Sequence, residues 1–63
     1  MYYAIEIEEE IWCGSAFEYF KKYQKALEEI NSKNGTIIKI DTLDSGSGDV
    51  YHRCCIITYK IEN

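Results

Sequence analysis

The residues of this chain best equipped for chemistry stand side by side at His52, Arg53, Cys54 and Cys55, with a further cysteine at Cys13. An imidazole with thiolates could hold a soft cation, and a cysteine activated by a histidine could act as a nucleophile. The spacing opposes both readings. Zinc sites take their ligands from turns in which the cysteines stand about two to four residues apart, whereas adjacent residues of a strand point to opposite faces. His52 and Cys54 share a face but lie about 6.5 Å apart along the strand. A histidine base would also need a third group to orient it, and no convincing oxyanion site accompanies the pair. The expectation is a protein that is not an enzyme and carries no metal or cofactor, with its cysteines serving as small apolar side chains.

Two other stretches invite a ligand. Asp44-Ser45-Gly46-Ser47-Gly48-Asp49 has the composition of a phosphate or calcium loop. It lacks the Lys-Ser or Lys-Thr of a P-loop and the distal glutamate of an EF-hand, so a solvated turn or hairpin loop is expected. Glu6 and the run Glu8-Glu9-Glu10 form an acidic stripe, and such a stripe can steer a protein toward a basic surface.

The whole chain carries eleven acidic against seven basic residues, a net charge of −4. Nucleic-acid binding rests on neutralising phosphates with Lys and Arg, so no direct nucleic-acid partner is expected. No apolar run approaches the ~20 residues of a membrane-spanning helix, and no signal-like segment opens the sequence. A cytoplasmic, reducing location is expected, where an odd set of three cysteines stays unpaired.

Residues 1–63 read as a single domain. A chain this short buries only about 60% of the surface its unfolded form exposes, and small domains therefore recruit a disulfide, a metal or a partner chain. With the first two disfavoured, the partner remains.

The elements that must position these residues follow from periodicity. In MYYAIEIEEEIW, Tyr3, Ile5, Ile7 and Ile11 alternate with Ala4, Glu6, Glu8 and Glu10, the pattern of a strand with one buried face; Glu9 interrupts the buried set. Ser15-Ala16-Phe17-Glu18 matches a capping box, which predicts a helix starting there. Ala16, Tyr19, Phe20, Tyr23, Ala26, Leu27 and Ile30 then fall in one arc of about 120°, and Phe17 falls outside it. Asn34-Gly35 ends the helix. Thr36 to Leu43 reads as a second strand, with Ile38 and Ile40 on one side and Ile37, Lys39, Asp41 and Leu43 on the other. Val50 to Ile61 reads as a third strand, apolar on both faces.

The order β, α, β, β predicts an α+β fold: a single β-α-β-β domain whose three-stranded sheet has the order 1-3-2 and carries one helix on one face. A crossover through the helix makes the first two strands parallel and leaves a gap between them, which the third fills. The second face of the sheet is left uncovered. Ile37, Leu43, Cys54, Ile56 and Trp12 are expected there, and with Phe17 they form the predicted dimer or partner interface. Glu6, Glu8 and Glu10 are the expected acidic, partner-facing residues. A homodimer is the simplest way to cover such a face.

In size, acidity and lack of a catalytic motif the chain resembles the short acidic proteins with which phages inhibit bacterial defence systems, the Hachiman anti-defence type among them. That resemblance implies an inhibitor acting in the host cytoplasm by binding and occluding a larger protein. The opening MYYAIEIEEE followed by an amphipathic helix also resembles HicB-like antitoxins, although Trp12-Cys13-Gly14 replaces the Pro- and Gly-containing segment those proteins carry there. The alternative function class is a small-ligand-binding or enzymatic domain with its site at a dimer interface, lined by His52, Arg53 and Cys54.

Overall fold

Alternation at the start of the chain becomes strand β1 (Tyr2–Trp12), and the apolar arc becomes helix α1 (Phe17–Ser32). Strands β2 (Gly35–Ser47) and β3 (Val50–Ile61) complete a computed structural model that describes residues 1–12 and 15–62. The sheet order is β1-β3-β2, with β3 antiparallel to both neighbours. The two outer strands therefore run parallel, joined by the helix, as the crossover argument requires.

Register decides which residues meet. Ile7 lies opposite Cys55, Ile5 opposite Ile57, Tyr3 opposite Tyr59 and Ile11 opposite Tyr51. All of these point to the side that α1 covers. There Ile7, Ile11, Cys55, Ile57 and Tyr59 are buried with Tyr19, Ala26 and Ile30 of the helix, while Ile5, Tyr23, Leu27, Tyr51 and Ile61 pack around them. The interior is thus one apolar layer, and no polar residue is buried in it among the described residues.

The chain reverses direction after the helix at Asn34, whose φ of 57° is a left-handed conformation that Asn tolerates. Close packing follows at once. A Cβ on Gly35 would lie 2.8 Å from Ile30 Cγ2 and 3.1 Å from Tyr59 Cδ2, so only glycine lets the start of β2 press against the helix end. Between β2 and β3 the pairing continues to Ser47 opposite Val50, which leaves Gly48 and Asp49 as a two-residue turn. Gly48 supplies the positive φ, 71°, at its first central position, where tight hairpins favour glycine.

Four expectations are corrected. The predicted capping box does not form: the helix is preceded by Ala16, which has no side-chain cap bond, because the Ser15 N–H donates to the Trp12 carbonyl (2.8 Å) in a bridge to β1. The segment from Asp44 to Ser47 is strand rather than loop. Phe20, expected under the helix, is 59% exposed; it stands about 100° round the helix from Tyr19, at the margin of the buried arc. Finally, the register shifts between Ile37 and Lys39, so that Ile38 is an extra residue on β2. This moves Ile37 opposite Tyr59, on the helix side, and takes it off the open face where alternation alone had placed it.

The core predicts its own weak points. Ile57→Ala removes a fully buried side chain of the central strand and should cost about 2–5 kcal/mol, a large part of a small domain's stability. Gly35→Ala should also destabilise, by crowding Ile30. Exposed Lys25→Ala should change stability by no more than about 0.5 kcal/mol. Urea unfolding followed by far-UV circular dichroism measures all three.

Candidate functional site

The face of the sheet away from α1 gathers most of the residues singled out in the sequence. Its rows run across the three strands: Glu6, Ile56 and Asp41; then Glu8, Cys54 and Leu43; then Glu10, His52 and Ser45. Trp12 opposite Val50 closes one end. The centre is apolar, with Leu43 73% exposed beside half-buried Cys54 and exposed Ile56. A column of three glutamates borders it on β1 and Asp41 borders it on β2. Lys39, 3.4 Å from Asp41, and Lys60 are the lysines of this face.

Pairing across strands, rather than spacing along them, determines the partners of the candidate chemical groups. His52 Nε2 lies 2.6 Å from Glu8 Oε1, so the imidazole is held by a carboxylate of β1 and not by the neighbouring thiol. Donor atoms of Glu6, Glu8 and Cys54 all lie within 4.8 Å of one another. This is the one group among the described residues that could converge on a cation, and sequence spacing could not reveal it because two of its members come from another strand. Burial, and then the charges of Glu6 and Glu8, push the Cys54 thiol above its usual pKa. A thiol held protonated is a poor nucleophile, and reactive cysteines sit instead in electropositive surroundings. Cys55 points into the core, completely buried, while Cys13 lies outside the described residues.

Behind this face, Arg53 organises the hairpin end of the sheet. Its Nε and Nη2 donate to the two carboxylate oxygens of Asp44, at 2.8 and 3.1 Å. The guanidinium lies 5.2 Å from the Tyr19 ring centre and 5.5 Å from that of Tyr51. Burial, reinforced by a hydrogen bond with Cys55, pushes the Tyr19 hydroxyl up to about 12, so it stays neutral. Glu9, the inward charge of β1, is matched by an ion pair with Lys22 of the helix. Arg53 is therefore committed to Asp44, and the acidic-glycine segment is occupied in holding β2 to β3.

Of the predicted interface residues, Leu43, Cys54, Ile56 and Trp12 share the open face, with Glu6, Glu8 and Glu10 alongside. Phe17 stands apart at the helix start, 70% exposed, lining with Trp12 and Glu10 a cleft of about 450 Å³. Ile37 lies on the other side. A second apolar region went unforeseen: Phe20 on α1, with Ile38 and Ile40 on β2, is exposed along the outer edge of β2. Its signal was Phe20's marginal place in the helical arc. No protein-family model, curated protein or solved structure matches the chain.

Two measurements probe these environments. In a Cys13→Ser background, alkylation of Cys54 at pH 7 should be several-fold slower than that of free cysteine, and Glu6→Gln with Glu8→Gln should speed it. The hydrogen bond from Arg53 lowers the pKa of Asp44, so its contribution to stability is present above the unfolded carboxylate pKa of about 3.9 and is lost as pH falls through the folded value. Asp44→Asn should thus be less stable than the parent at pH 7. The two stability curves should converge on acidification, and salt should shrink the gap at neutral pH.

Proposed function

We propose that the protein is an interaction module with no chemistry of its own, which pairs with a second copy and offers its open sheet face to a larger protein. The observation that carries this reading is the arrangement of that face: an apolar centre of exposed Leu43 and Ile56 with half-buried Cys54, bordered by Glu6, Glu8 and Glu10 along β1 and by Asp41 on β2. A centre of this kind gains by leaving water, and the acidic rim selects a partner whose own rim is basic. The partner is a protein with lysines and arginines around an apolar patch. Binding acts by occlusion, in the manner of the phage inhibitors of bacterial defence that the chain resembles, with Trp12 at the end of the face as an aromatic anchor and Phe17 across the adjoining cleft as a second.

The reading is tested by affinity capture from bacterial lysate with the tagged protein and substituted forms. The expected result is a retained protein that 0.5 M salt weakens, that Leu43→Lys or Glu8→Lys abolishes, and that Lys25→Ala leaves in place. Retention indifferent to Leu43 and Glu8 would remove the open face from the proposal.

A further inference from the structure

The second copy required by this reading has three surfaces on which to dock, and charge separates them. Stacking open face on open face would bring two columns of Glu6, Glu8 and Glu10 together, with few lysines to offset them. Pairing β1 with its own copy would set Glu6, Glu8, Glu9 and Glu10 against the same residues. Like charges directly opposite one another in a ladder are destabilising. The outer edge of β2, which like that of β1 has no strand beside it among the described residues, differs in showing exposed Ile38 and Ile40 in place of the run of glutamates. Such an edge is a ready template for another strand.

We infer that two copies pair antiparallel through β2, centred on Ile40, to form one six-stranded sheet. A two-fold axis perpendicular to the sheet places residues whose numbers sum to 80 opposite each other, with both helices on the same side. Ile40 then meets its own copy, Ile38 meets Thr42, and Lys39 meets Asp41. Each Lys39–Asp41 pair, already 3.4 Å apart within one chain, becomes half of a neutral quartet on the open face. On the helix side, Ile40 with Phe20, Tyr23 and Thr42 lines a groove of about 380 Å³, into which the apposed Ile40 can pack. Moving the centre by one residue sets Lys39 against Lys39 or Asp41 against Asp41, so charge selects the register. The irregularity between Ile37 and Lys39 limits the ladder to residues 38–42 of each chain.

The inference rests on the homodimer reading and is tested by charge exchange, using light scattering and native mass spectrometry. Lys39 and Asp41 are both largely exposed, so reversing either leaves the core untouched. Lys39→Asp and Asp41→Lys should each weaken self-association about tenfold, because two attractive pairs become repulsive. An equimolar mixture of the two variants should form a heterodimer, in which every Asp again faces a Lys. A wild-type dimer that both variants reproduce unchanged, or a mixture without preferred heterodimer, overturns the β2 register while leaving dimerisation intact. A wild-type monomer at tens of micromolar overturns both.

Discussion

Strand β3 is hydrogen-bonded along both edges but roofed on only one face, and the rest of the molecule follows from that imbalance. Toward α1 it presents Cys55, Ile57 and Tyr59, which are buried; away from α1 it presents His52, Cys54 and Ile56, which are not. A single helix laid on three strands removes one apolar layer from water and leaves the other to the solvent or to a partner. Because a strand's side chains alternate, β3 cannot make one face more apolar by changing the other. Its double apolarity is therefore a statement about two surfaces, of which the described residues cover one.

Charge is distributed so that the uncovered surfaces are not equivalent. On β1 the glutamates occupy the open face, and the single inward one, Glu9, is tied to Lys22 of the helix. An edge guarded in this way resists pairing with its own kind. On β2 both signs occur, Lys39 then Asp41 then Asp44, and Asp44 is spoken for by Arg53. The same strand that lacks the acidic guard also carries the exposed isoleucines. The column of glutamates and the exposed isoleucines thus lie on opposite outer strands of one small domain.

Much of this was legible in the residue pattern. The strand order followed from a crossover helix and one remaining strand, an argument that needs only the sequence of element types. Phase errors entered wherever local geometry departed from the ideal period. Ser15 has the composition of a cap, yet its backbone amide is engaged by Trp12 before the helix begins. Ile37 was assigned by strict alternation, which one extra residue at Ile38 reverses. The union of Glu6 and Glu8 with Cys54 could not be read from spacing at all, since cross-strand neighbours are set by register between distant segments.

The irregularity in β2 also decides where the exposed apolar side chains lie. Without Ile38 as an extra residue, the alternation of β3's partner would run unbroken and Ile37 would join Leu43 on the open face. That face would then carry a longer apolar strip, and stacking it against another copy would gain more from burial and depend less on charge. With the extra residue, Ile37 moves to the helix side, where it is opposite Tyr59. The apolar surplus is divided between a short centre bordered by carboxylates and an edge strand flanked by Phe20. The two differ in charge: carboxylates of one sign border the centre, whereas Lys39 and Asp41, of opposite sign, stand two residues apart on the edge strand. One extra residue in one strand thus divides the exposed apolar side chains between the open face and the outer strand edge.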